Sequence, residues 1–153
     1  MSATVGNLSD PFQASAWLIA AYLIHLSEEW FLGFPEWSRV IRGAGVSSEE
    51  FVATNSGALM LFLILAAVTR RSAMAWFPAT LATIFSLNGV LHALATLRYD
   101  VYSPGTASGM LISFPLGLLV LHEMRGRLSA AAFAGCLLLG VLIHVFITFV
   151  AFR

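Results

Sequence analysis

Five stretches of mostly apolar residues run through this chain, at about 12–32, 51–69, 73–97, 106–122 and 129–150, with short polar breaks between most of them. A helix needs about 20 such residues to cross the hydrocarbon core of a bilayer. Lipid admits only helices and closed barrels, because every backbone donor and acceptor must be satisfied within the protein. These stretches are too long and too evenly apolar for barrel strands. The expectation is an all-α polytopic membrane protein, a bundle of five transmembrane helices forming one domain over residues 1–153. Composition agrees. Hydrophobic residues make up 59% of the chain and charged residues 10%, against roughly 25% charged in an ordinary soluble domain. Eight Arg, with no Lys, balance eight acids. That neutrality excludes a basic nucleic-acid binder, and one Cys excludes a disulfide scaffold.

The breaks carry helix signals. Asp10 and Pro11 are cap and first-turn residues for the first segment. That segment does not resemble a signal peptide, since no basic residue precedes it and it ends in His25, Glu28 and Glu29. Ser47, Ser48, Glu49 and Glu50 read as the start of the second helix, with Glu50 as a cap. Arg70 and Arg71 close it. Pro78 is a candidate kink near the start of the third segment. Gly109, Pro115 and Gly117 predict a bent or closely packed fourth. Gly135, Cys136, Gly140, His144 and Thr148 give the fifth a face for close contact. Residues 33–50 read as a polar, Gly-rich loop folded over a membrane surface.

With alternating directions, the end of segment one defines side A. It holds Arg39, Arg42, Arg98 and Arg153, against Arg70, Arg71, Arg125 and Arg127 on side B. The denser clusters in shorter loops favour side B as cytoplasmic. Trp30 and Trp37 belong to side A and Trp76 to side B.

Ionisable groups in membrane helices are costly and face the bundle interior. Segment one has His25, Glu28 and Glu29, at a spacing that puts both carboxylates on the His25 face. Segment three has Asn88 and His92 one turn apart. Segment five has His144, and segment two has Asn55 close to Glu50. All fall in the side A half of their segments, so four helices bring them to one layer. His122 ends segment four at side B and reads as an interfacial group near a helix C-terminus. Cys136 reads as a packing residue.

Such a layer can merely tie helices together. Two adjacent glutamates argue for more, because they repel unless a cation or a shared proton separates them. Imidazoles with carboxylates suit Zn, Fe or Mn. The candidate ligands are His25, Glu29, His92 and His144. Glu28 is a further ligand, a bridge or the general base. Asn55 and Asn88 fit roles in holding the ligands or orienting substrate.

The run His25-Leu26-Ser27-Glu28-Glu29 resembles the signature of the HXXEE-domain family, small multi-pass membrane proteins found mainly in bacteria. Asn88-Gly89-Val90-Leu91-His92 is similar to its Asn-xxx-His element, and Tyr102-Ser103-Pro104-Gly105 to its Tyr-x-Pro-Gly element. A histidine in the last membrane helix corresponds to His144. The resemblance covers about residues 12–150 and implies a bacterial inner-membrane protein with a suspected metal-dependent activity. It adds the turn at Tyr102–Gly105 beside the layer, where Tyr102 either donates a hydrogen bond inward or anchors at the interface.

The preferred expectation is a metal-dependent intramembrane enzyme, a Zn hydrolase with Glu28 or Glu29 accepting the proton, acting on a lipid-like or small apolar substrate. With Fe, an oxygenase or desaturase follows instead. A His–Glu–Glu pocket without metal could run acid/base isomerisation. Proton or metal-ion transport is the remaining class, disfavoured because the side B half is nearly clean of polar groups. A homo-oligomer through Gly105-xxx-Gly109 or the Gly140 face is a further expectation.

Overall fold

The computed structural model describes residues 7–43, 45–72 and 74–151, with the side chains of Arg71, Ser72 and Ala151 excepted. Arg153, counted above towards side A, lies outside the described residues. The described chain is an all-α bundle of six helices. They are α1 (Pro11–Phe31), α2 (Phe34–Arg42), α3 (Ser48–Ser72), α4 (Trp76–Tyr99), α5 (Thr106–Arg125) and α6 (Ala130–Ala151).

Four helical stretches are long and apolar enough to cross a membrane: Ser48–Arg70, Trp76–Tyr99, Thr106–Arg125 and Ala130–Val150. The architecture is that of an integral multi-pass membrane protein. The expected fifth span, α1, is long enough at 21 residues, but Gln13, His25, Glu28 and Glu29 dilute its apolar character. The second departure is α2. Residues 33–50 were expected to be loop, yet Phe34, Pro35, Trp37 and Ser38 form one buried face of a short amphipathic helix. Nine residues are too few for periodicity to stand out beside the long apolar runs.

Local signals fix the helix ends. The Asp10 carboxylate accepts the Gln13 N–H at 2.8 Å, and Pro11 opens α1. Ser47 and Glu50 form a reciprocal capping box, with Ser47 N–H to Glu50 Oε2 at 2.9 Å and Glu50 N–H to Ser47 Oγ at 3.1 Å. Glu50 is thus the cap expected of it. Pro78 sits buried in the first turn of α4, where its missing N–H breaks no helical bond. The irregularity of the fourth segment is a π turn at Gly109–Ser113, closed by the Phe114 N–H on Gly109 O. It absorbs Pro115, which has no N–H to continue the regular ladder.

α4 is the hub. Half of its apolar window is buried, against 11% for α3 and 17% for α6, which therefore turn most of their surface to lipid. Leu18, Leu81, Val120 and Met124 fill the core. α4 and α5 come together at Gly89 and Gly109, where a Cβ on Gly89 would stand 2.6 Å from Gly109 O. Gly109 thus packs against α4 inside the bundle. Cys136 is a buried free thiol in the core. His122 is exposed in the last turn of α5, away from the other histidines. The Arg70 guanidinium over the Phe12 ring, at 5.6 Å, sets the end of α3 beside the start of α1.

Candidate metal centre

α1 and α4 each present two polar side chains one turn apart to their shared interface. From α1 come His25 and Glu29, and from α4 come Asn88 and His92. Glu29 Oε1 is 3.2 Å from His92 Nε2 and 3.6 Å from His25 Nε2. His25, Glu29 and His92 are all buried, and one ligand atom from each lies within 4.8 Å of the others. The two imidazoles meet edge to face with centroids 5.1 Å apart. Two imidazoles and one carboxylate converging in apolar surroundings can coordinate a divalent metal.

The opposite edge of each ring is held by a serine. His25 Nδ1 is 3.0 Å from Ser108 Oγ, and His92 Nδ1 is 3.0 Å from Ser103 Oγ. Asn88 Nδ2 donates to His25 Nε2 at 2.7 Å. That leaves His25 Nδ1 to carry the proton and donate it to Ser108, whose hydroxyl is also within reach of the Glu28 carboxylate. The His25 Nε2 lone pair therefore points into the cluster. Fixing a ligand's tautomer through its far nitrogen is the usual support of a metal-bound histidine.

Glu28 does not join the cluster, contrary to its expected role as ligand, bridge or base. Its Oε1 accepts the Gly105 N–H at 3.0 Å, the Ala107 N–H at 3.2 Å and the Tyr102 hydroxyl. Its Oε2 accepts the Ser108 N–H at 2.6 Å. The first turn of α5 has N–H groups without helical partners and the positive end of the helix dipole, and Glu28 satisfies both from another helix. Adjacent residues on a helix point about 100° apart, so only Glu29 shares the His25 stripe closely enough to meet both imidazoles.

Of the two roles left open for Tyr102, the structure shows the hydrogen bond. The residue is 44% exposed, while its hydroxyl donates to Glu28 and accepts the Ala107 N–H at 3.0 Å. Partial burial, then the bond to Glu28, pushes its phenol above the usual tyrosine value, so it stays a donor. The turn it begins brings Gly105 at φ 102° against both rings. A Cβ there would stand 2.7 Å from His25 Cε1 and 3.0 Å from His92 Cε1. Only glycine combines that backbone angle with that closeness.

A cavity of about 460 Å³ opens beside the cluster, lined by His25, Glu29, Asn88 and His92 and by mostly apolar side chains. His144 of α6 lines it as well. It is buried, and its Nε2 has no hydrogen-bond partner, but it stands outside the tight His25–Glu29–His92 group. Asn55 lines the cavity from α3, held by the Tyr22 hydroxyl at 2.6 Å and by Phe51 O at 2.8 Å. From α2, Phe34 tilts against His92 at 5.5 Å, and Trp37 closes the same side. Sequence reasoning missed Ser108, Tyr22, Phe34 and Trp37, and passed over Ser103 and Gly105 inside the turn it quoted. Only the last two had a signal, their place in that turn.

Fold and site together define a multi-pass helical membrane protein with a buried His/His/Glu cluster suited to a divalent metal. The family model described as "Protein of unknown function with HXXEE motif" matches residues 16–120, and the chain belongs to that family. The match takes in His25 to Glu29, Asn88, His92 and the 102–108 turn, and it stops before α6 and His144. No curated protein and no solved structure matches the chain.

Proposed function

We propose that this protein is a metal-dependent intramembrane enzyme, a hydrolase acting on a lipid-like substrate, with α1 crossing the membrane as a fifth span. One observation carries the reading. Both imidazoles are tied at Nδ1 to a serine and turned at Nε2 towards one Glu29 oxygen, inside a mostly apolar cavity. A network that only held helices together would need no common focus for three donor atoms.

In this reading His25, His92 and Glu29 hold the metal, and His144 completes the set with its unpartnered Nε2. A Zn ion held by these residues would supply Lewis-acid activation of water or of a carbonyl. Glu29 takes up the proton through its carboxylate. The Asn88 amide, 2.7 Å from His25 Nε2, would be placed to orient the substrate. The apolar walls keep bulk water out and hold the hydrocarbon part of the substrate.

The same donors, two His and one carboxylate, also form the facial set of oxygen-activating iron proteins. That composition favours an Fe-dependent oxygenase or desaturase as the second reading.

Elemental mass spectrometry on untagged protein purified in detergent tests both. One metal per chain, absent from His25→Ala and Glu29→Ala, is the expected result, with Zn directing assays to ester and amide lipids and Fe to oxygen uptake. Folded wild-type protein that binds neither metal on titration would overturn the proposal.

A further inference from the structure

We propose that the cavity is a binding site for one hydrocarbon chain of a membrane amphiphile, which enters sideways from the bilayer between α3 and α6. The observation behind it is a sparse helix contact. Around the cavity α6 packs on α4, α4 on α1 and α1 on α3, which closes those sides. Among the described residues α3 and α6 both line the cavity, but their backbones approach each other only marginally compared with the helix pairs just named. Several residues near that gap both line the cavity and have accessible surface. They are Thr54 of α3, Phe146 and Ile147 of α6, and Leu91 of α4, seen between them. A closed pocket has no such residues, and a lipid-facing helix pair would normally shut the gap with its side chains.

The dimensions fit one chain. The α3 lining runs from Glu50 to Phe62, about 18 Å at 1.5 Å per residue. That is close to one leaflet's share of a hydrocarbon core of ~30 Å. The cavity, about 460 Å³, is within the size range of sites that enclose one small apolar ligand. The polar end of the chain lies towards Glu50 and the His/Glu cluster, and the tail runs down to Phe62 and Phe85. Chemically, the ligand is a single-chain amphiphile, or a lipid that inserts one of its chains. The inference deepens the functional reading and rests on it only for what happens to the polar end.

The test uses full-length protein in phosphatidylcholine vesicles and a long-chain alcohol carrying a diazirine on its tail. After illumination, labelled residues are mapped by mass spectrometry. The expected result is labelling of buried Ile84 and Phe85, abolished by excess unlabelled alcohol. Labelling of outward-facing Met60 and Leu139 should persist, as ordinary lipid contact. Ala58→Trp narrows the gap from α3 and Ile147→Trp from α6. Each should abolish interior labelling while leaving the outer labelling, which also reports that the helices remain inserted. Glu29→Gln should keep interior labelling, so a failed metal reading would leave this one standing. Labelling confined to outward residues in the wild type would overturn the proposal, as would interior labelling that both tryptophan variants leave unchanged.

Discussion

Glu28 and Glu29, neighbours in the chain, act on opposite edges of the His25 ring. Glu29 Oε1 stands 3.6 Å from Nε2. Glu28 reaches Ser108, whose hydroxyl is 3.0 Å from Nδ1. One carboxylate belongs to the cluster, and the other holds the loop that positions it.

The two glutamates should therefore fail differently. Glu29→Gln removes a charged ligand atom and should abolish metal binding while the helices stay intact. Glu28→Gln weakens the hold on four donors and should lower thermal stability, with hydrogen bonds to a charged group contributing about 1.5–3 kcal/mol. It should weaken metal affinity about 10–100-fold, as loss of outer support does. Metal titration and thermal melts in detergent check both, and equal metal loss in the two variants would contradict the division.

Ser103→Ala and Ser108→Ala each free one imidazole edge. Each should cost about 10–100-fold in metal affinity without changing stoichiometry. A Co(II) titration followed by visible absorption reads affinity and geometry together. No change in either would mean the serines do not orient the rings.

Gly105→Ala places a Cβ 2.7 Å from His25 Cε1 on a backbone at φ 102°. Strain of that kind costs about 1–3 kcal/mol, and the rings must move apart. Loss of metal with unchanged helical circular dichroism is expected. A metal-loaded Gly105→Ala protein would show that the turn does not set the ring spacing.

Asn88 touches His25 Nε2 through its amide nitrogen, which donates and cannot ligate. Asn88→Ala should keep the metal and lose turnover. Metal loss on elemental analysis would put the Asn88 oxygen among the ligands.

The raised phenol of Tyr102 has a pH signature. A raised folded value means that its stabilising bond to Glu28 is fully present below the unfolded tyrosine value, near 10. That stability is lost as pH rises through the folded value. The melting-temperature gap between wild type and Tyr102→Phe should be constant up to about pH 9 and shrink above it. A gap that does not change with pH would rule the bond out.

The membrane helices were legible because twenty apolar residues have one stable solution in lipid. Four of the five expected spans meet that standard, and α1 falls short because Gln13, His25, Glu28 and Glu29 dilute its apolar run. The layer was legible too. His25, Glu29, Asn88 and His92 stand one turn apart in pairs, and alternating helix direction brings both pairs to one depth. The α2 helix stayed hidden because nine residues offer too few turns for a pattern. Ser108 stayed hidden because a lone serine in a membrane helix carries no spacing.

Sequence by itself determined which groups share a depth, since rise per residue and chain direction set position along the bundle axis. It could not determine which way each group turns about that axis. The HxxEE run allows either carboxylate to face the imidazole. The choice was made by the start of α5, where the N–H groups of the Gly105 cap, Ala107 and Ser108 captured Glu28 and left Glu29 to the histidines. That partner is 77 to 80 residues away in the chain, and only tertiary packing brings it near. The sparse contact between α3 and α6 is decided in the same way, by which helices pack together, a property no single segment carries.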